Sequence, residues 1–209
     1  MINILVRTSN RPMFFHDCIR SIKAQTYTDY RIIVGSDSND CYCWPFNPVH
    51  YTQTKSNGRY LNLSRGIKTL HFPVNLYLNR LMDEVKEGWV MFLDDDDMMA
   101  THETLEEIAK LLTSEDTAVF WKVQLGERII PSKQGRPKVR DFSMIGMCFH
   151  SKYIPLLQFD QYKQTDYRVA DRIYSILNVK FIDKVLTRTQ LTGDEFKQRS
   201  DKDHLFNNV

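Results

Sequence analysis

The chain has 209 residues, 42% of them apolar, and carries 28 Lys plus Arg against 26 Asp plus Glu for a formal charge of +2. That length suits one domain with a core large enough to fold alone, and the near balance of charge excludes a global basic field for nucleic acid. Cys18, Cys41, Cys43 and Cys148 lack the paired spacing of a zinc site, so thiols of a reducing compartment are expected.

No signal peptide and no apolar run near about 20 residues is read, so no membrane span is expected and a cytoplasmic location is inferred. Residues 2–7 form a short apolar strand broken by Thr8-Ser9-Asn10-Arg11-Pro12. Asn10 or a neighbour can cap a helix starting there, and Pro12 is tolerated in a first helical turn. Phe14, Phe15, Cys18, Ile19 and Ile22 recur at helical spacing and predict an amphipathic helix over 13–25. Residues 30–35 predict a second strand, ending in turn formers from Ser36 to Asp40. Strand, helix and strand make a βαβ unit with parallel strands.

Residues 41–72 read as irregular, with a candidate short strand at 49–52. Helical periodicity returns from Val74 to Val85, and Gly88 turns the chain into Trp89-Val90-Met91-Phe92-Leu93. This uninterrupted apolar run suits a strand buried on both faces of a parallel sheet. It leads directly into Asp94-Asp95-Asp96-Asp97. Four adjacent carboxylates repel one another and raise each other's pKa, so a counter-cation is expected. An oxygen-only ligand set favours Mg²⁺ or Mn²⁺. The rival reading is a solvated acidic turn before a helix over 101–112.

In the second half, residues 118–123, 128–131 and 145–150 read as strands, 167–177 as a helix, and 179–183 and 185–189 as two late strands. Lys133 to Arg140 is a basic loop, open to reading as solvated or as facing phosphate or acceptor. The tail from Thr192 is polar and is expected to be mobile. The expected organisation is a half at 1–112 that should bind a nucleotide, a mixed half of the same domain at 113–191 that should shape a second substrate site, and the tail at 192–209.

Three polar features come after strands: Thr8 to Arg11, Asp37, and Asp94 to Asp97. Ligands of open α/β sheets bind beyond strand carboxyl ends, so these can converge on one cleft. In their order and spacing they resemble the family 2 glycosyltransferases. The run from Ile4 to Pro12, Cys18-Ile19-Arg20-Ser21-Ile22, Gln25 to Tyr30 and Ile32-Ile33-Val34 are similar to that family's opening. Asn79-Arg80 stands 15 residues before Asp94, as in the family, and Asp94 to Asp97 resembles its Asp-x-Asp signature. Thr165-Asp166-Tyr167 with Arg172 is similar to its Glu-Asp motif and following arginine.

The resemblance implies the GT-A fold, a Rossmann-like α/β architecture with a mixed, mostly parallel sheet flanked by helices. It implies inverting transfer of one sugar from a nucleotide sugar, with UDP expected, to the hydroxyl of a glycan or other acceptor. It makes residues 1–112 the nucleotide-sugar-binding half and 113–191 the acceptor-binding half. Thr8, Asn10, Arg11, Asp37, Asn79 and Asp94 would contact the nucleotide. Asp96 and Asp94 would serve a Mn²⁺ or Mg²⁺ ion, and Asp166 would be the general base, with Asp160 and Asp171 as rivals. The chain departs from the pattern with Ser36 before Asp37, Leu81 after Asn-Arg, and Thr165 where a Glu is usual. The Gln-x-x-Arg-Trp motif of processive synthases is absent, so single transfer is expected. The other readings are a nucleotidyltransferase, disfavoured because the loop after the first strand has no glycine to cradle a triphosphate, and a sugar-nucleotide-binding module without turnover. His150, Trp121 and Arg188 carry weaker readings as an acceptor-side group, a sugar platform and a diphosphate contact, set against a satisfied histidine, core packing of Trp121 and an exposed strand arginine.

Overall fold

The computed structural model describes residues 1–37, 41–50, 60–63, 67–70 and 75–190. Its first unit is strand β1 (Ile2–Thr8), helix α1 (Pro12–Lys23) and strand β2 (Tyr30–Ser36). β1 and β2 pair in parallel from Ile2 opposite Tyr30 to Thr8 opposite Ser36. The periodic apolar residues Phe14, Phe15, Cys18, Ile19 and Ile22 are the buried face of α1. Pro12 stands at its start, where its missing N–H costs nothing. The expected cap is different: Arg11 occupies the cap position without a side-chain bond, and Asn10 adopts a left-handed φ of 57° that turns the chain into the helix.

Strand β3 (Val49–His50) pairs in parallel with β2. The region read as irregular also holds a hairpin of β4 (Tyr60–Leu63) and β5 (Ile67–Leu70), which short strands among turn formers concealed. Helix α2 (Leu76–Met82) is shorter than its periodicity suggested. Strand β6 (Trp89–Asp94) lies beside β1 in parallel, with Arg7 opposite Asp94. Val90, Met91, Phe92 and Leu93 are fully buried, as a strand covered on both faces requires. The acids do not stay in a loop: Asp97–Met99 is a further short strand, β7. Helix α3 (Thr104–Ala109) starts three residues after the expected Thr101.

Strands β8 (Thr117–Leu125), β9 (Arg128–Ile130) and β10 (Met147–His150) come next, then helix α4 (Thr165–Ile176) and strand β11 (Asn178–Thr189). The two expected late strands are one long strand, whose register against β8 shifts between Ile182 and Val185 and again before Thr187. Such irregularities bend a strand without ending it. The nine-stranded sheet runs β3-β2-β1-β6-β10-β8-β11-β7, with β9 on β8. β10 is antiparallel to β6 and β8, and β7 antiparallel to β11. The sheet is thus mixed, and its two halves interleave: β7 leaves β6 to close against the last strand. Among the described residues no helix is long and apolar enough to cross a membrane. The expected mobile tail lies outside the described residues.

Trp121 is core, the reading set against a sugar platform: it is fully buried, and its Nε1 donates to Thr187 Oγ1 at 2.8 Å. Thr187 Oγ1 in turn donates to the Ile145 carbonyl at 2.7 Å. One buried hydroxyl therefore satisfies a donor and an acceptor that would otherwise lose water for nothing. Thr187→Val keeps the shape and removes both bonds. It should destabilise the fold by about 1–3 kcal/mol per group left unpaired, seen as a lower urea midpoint with unchanged slope.

Candidate active site

The sheet brings the carboxyl ends of β1, β2 and β6 side by side, and the polar residues beyond them meet there. Because Arg7 and Asp94 are register partners, their side chains stand on the same face of neighbouring strands. Arg7 Nε and Nη2 each reach an Asp94 carboxylate oxygen at 2.7 Å, a bidentate pair. Asp95 turns the other way and is completely buried. It accepts from Thr8 Oγ1 at 2.8 Å, from the Ser9 N–H at 3.4 Å, and from Arg11, whose Nε stands at 3.2 Å. Arg11 Nη1 also lies 3.3 Å from Asp96. Asp97 accepts the Asp94 N–H at 3.0 Å, tightening the turn.

Burial is the largest influence on these acids. It pushes the Asp95 carboxyl up to about 7 against the pull of Arg11. It raises Asp96, with Arg11 opposing and Asp94 adding to the rise. It holds Asp97 far above the carboxylate range, with the charges of Asp94 and Asp96 adding to the effect. Two bonded guanidiniums against four carboxylates would leave a formal −2 with every acid ionised, the form that a bound cation would favour over the protonated one. One oxygen each of Asp94, Asp96 and Asp97 lie within 4.8 Å of one another. Charge and donor chemistry both fit a hard divalent cation.

Two cavities open on this cluster. One, of about 360 Å³, is lined by Asp94, Asp96, Asp97 and, from the second half, Ile145, Lys163 and Asp166. The other, of about 280 Å³, is lined by Thr8, Ser9, Arg11, Asp37 and Tyr77. Arg7 and Asp94 line both and so form the wall between them. In the smaller cavity Asp37 Oδ1 is buried without a hydrogen-bond partner among the described residues. A buried acceptor left unpaired is costly, which marks it for a donor group brought by a ligand.

Asp166 is the second residue of α4, inside the helix rather than before it. Burial raises its pKa, opposed by bonds from the Tyr167 and Asp166 main chain and by Arg168. Its rivals are engaged elsewhere. Asp160 is gripped by Arg168 Nε at 2.6 Å and accepts the Tyr162 N–H at 2.9 Å. Asp171 is held by Arg136 at 2.5 Å on the outer face of α4. That contact also gives the basic loop's Arg136 a job away from both cavities.

Thr8, Arg11, Asp37, Asp94, Asp96 and Asp166 are thus brought to one cleft, while Asn10 and Asn79 line neither cavity. Asn79 accepts the Phe159 N–H and donates to its carbonyl, both at 2.8 Å. It staples α2 to the segment that leads to α4, which is a different task from the nucleotide contact expected of it. His150 packs edge-on against Trp89 at the opposite end of β6, remote from the acids. Arg188 stands at a third cavity with Arg20 and His102. Sequence reasoning assigned no role to Arg7, Tyr77 or Gln190. Arg7 could have been found as the one charge in an apolar strand that ends beside the acidic one; nothing local marks the other two.

The profile described as "Glycosyl transferase family 2" matches residues 4–128. Those residues hold Asp94, Asp96 and Asp97 of the first cavity, though not Asp166, and all of the second cavity's lining, and the chain belongs to that family. No curated protein matches the sequence. Among solved structures, residues 1–349 of S. aureus TarS superpose with a TM-score of 0.66 at 17% identity, covering 90% of this chain and 60% of that one. The same protein with UDP-GlcNAc gives 0.63 at 15% identity, covering 94% and 60%. The mannosyltransferase PcManGT from Pyrobaculum calidifontis, with GDP-Man and Mn²⁺, gives 0.63 at 14%, covering 98% and 61%. The chain therefore spans about three-fifths of these neighbours, which share its fold: the mixed, mostly parallel α/β sheet of the GT-A glycosyltransferases.

Arg11 is the sole side-chain cation bonded to the buried Asp95 among the described residues. Arg11→Met should cost about 3 kcal/mol above neutral pH, as for other broken buried pairs. Losing Arg11 raises the folded Asp95 pKa above its wild-type value of about 7. Both proteins hold the proton below that value, so the deficit relative to wild type should build as pH rises through about 7 and plateau above the variant's folded pKa. Melting curves of the variant at pH 5.5 and 8 check this, with the larger deficit expected at pH 8.

Proposed function

We propose that this chain is a metal-dependent inverting glycosyltransferase that moves one sugar from a nucleotide sugar, a UDP-sugar in the first instance, to an acceptor hydroxyl. The observation that carries it is the pair of cavities joined at Arg7 and Asp94, one with an unpartnered aspartate and the other with the acids and Asp166. A donor lying across that junction has its base and ribose in the smaller cavity, its diphosphate beside the acidic turn, and its sugar facing Asp166. The nucleotide sugars bound by TarS and PcManGT, and the Mn²⁺ of the latter, support the reading.

Asp37 accepts from the uracil imide or a ribose hydroxyl, and Thr8 and Arg11 shape the same pocket. Asp96 and Asp94 hold the cation, with Asp97 close enough to join them. Bound there, Mn²⁺ or Mg²⁺ supplies electrostatic stabilisation of the departing diphosphate. Arg7 and Arg11 add fixed positive charge on the same side. Asp166 takes the proton of the acceptor hydroxyl as that oxygen attacks the anomeric carbon from the face opposite the leaving group. Burial raises its pKa, which makes its ionised form a better base than an exposed aspartate. The αL turn at Gln164 and the bonds from Asn79 and Arg168 hold the approach to α4 still.

Ligands that bind only the folded state raise its melting point by mass action, by about 2.7 kcal/mol at a hundred times Kd. UDP with Mn²⁺ should stabilise the protein by that order, and UDP in chelator by far less, in a thermal-shift assay with GDP as the comparison arm. Equal effects with and without the ion would remove the metal from the mechanism.

Asp166→Asn keeps size and polarity but cannot take a proton. It should bind UDP as wild type does, while turnover falls by about 10²–10⁴-fold. Wild-type kcat should rise with pH as Asp166 ionises, its acidic limb displaced upward from the ordinary aspartate range. Full activity in a stable Asp166→Asn enzyme would give the role to another group.

A further inference from the structure

We infer that Gln190, at the end of the last strand, is a positioning residue that sets the acidic turn for cation binding. The inference rests on the metal reading above. β11 ends with Thr189 opposite Asp97. The next residue turns both its backbone and its side chain onto the acids. The Gln190 N–H donates to the Asp96 carbonyl at 2.8 Å. Its Nε2 donates to the Asp95 carbonyl at 2.7 Å and the Phe14 carbonyl at 2.7 Å, with the Asp97 carbonyl at 3.3 Å sharing a hydrogen. One residue thus collects the main-chain carbonyls of three consecutive aspartates and ties them to α1.

Pinning three successive carbonyls fixes the peptide planes between them, and with those planes the Cα–Cβ directions of Asp95, Asp96 and Asp97. Those directions aim Asp95 into the protein toward Thr8 and Arg11, and Asp96 and Asp97 into the larger cavity. The carboxylates repel one another and would splay if the backbone were free to turn. Only a side chain with two hydrogens on one nitrogen serves three acceptors in this way. Among the described residues Gln190 Oε1 is buried without a partner, so the side chain is held here by its donor end. A group that orients metal ligands from behind sets affinity about as strongly as the ligands' own bonding permits, and its loss typically costs 10–100-fold.

Gln190→Met keeps the length and removes the donors. Free Mn²⁺ read by electron paramagnetic resonance in titrations of the nucleotide-free protein should show affinity down by about 10–100-fold. The Mn²⁺ concentration for half-maximal turnover should rise in step, while kcat at saturating Mn²⁺ stays near wild type. Gln190→Asn, one carbon short, should fall between the two and serves alone if the Met variant does not fold. Thr187→Val, destabilised through the same strand but touching no acidic carbonyl, should keep wild-type Mn²⁺ affinity. Wild-type Mn²⁺ affinity in the Gln190 variants, with only the melting point lowered, would reduce Gln190 to a structural tie and overturn the inference. Absence of Mn²⁺ binding in the wild type itself would instead remove the metal reading, and this inference with it.

Discussion

Four carboxylates in consecutive positions at the end of a buried strand are the constraint around which this fold is arranged. Their mutual repulsion and loss of water must be offset within a few ångströms. Two arginines do this in different ways. Arg7 reaches across from the neighbouring strand to Asp94, and its reach depends on the parallel register of β1 and β6. Arg11 comes from the left-handed turn at Asn10 and closes on Asp95 and Asp96. Four carboxylates outnumber the two guanidiniums, and Asp94, Asp96 and Asp97 face the larger cavity.

The same cluster explains the path of the chain. β6 and β7 are separated by two residues yet lie far apart in the sheet order. The break between them is where the acids sit, so the turn is held open rather than closed into a hairpin. β11 then returns from the second half to pair with β7 and ends with Gln190 behind the turn. The first half of the chain supplies the carboxylates, and the second supplies the strand that braces them and the helix that carries Asp166. Neither half holds the site by itself, which accounts for strands that interleave instead of forming two sheets.

The division of labour among the aspartates comes from burial and partners. Asp95 is completely buried with three neighbours donating to it, so it organises the loop after β1. Asp96 has one guanidinium at 3.3 Å and faces a cavity, so it is open to a ligand. Asp37 keeps a buried oxygen unpaired among the described residues. Asp160 and Asp171, close to Asp166 in sequence, are consumed by Arg168 and Arg136. Residues alike in formula are told apart by what surrounds them.

Much of this was legible in the sequence because it depends on local pattern. The 3.6-residue periodicity of Phe14 to Ile22, the unbroken apolar run of β6 and the acids directly after it need no long-range information, and the order of the motifs led to the family. What the tertiary structure alone decided lies in contacts between residues far apart in the chain. Trp121 joined the core because Thr187, 66 residues away, meets its indole nitrogen. Asn79 was drawn to the Phe159 backbone 80 residues on. Arg7 faces Asp94 through strand register, and Gln190 reaches the acidic turn 95 residues before it. A side chain's propensity and spacing say which element it joins. Which of several alike side chains is buried, paired or left open to a ligand depends on what the other elements bring against it.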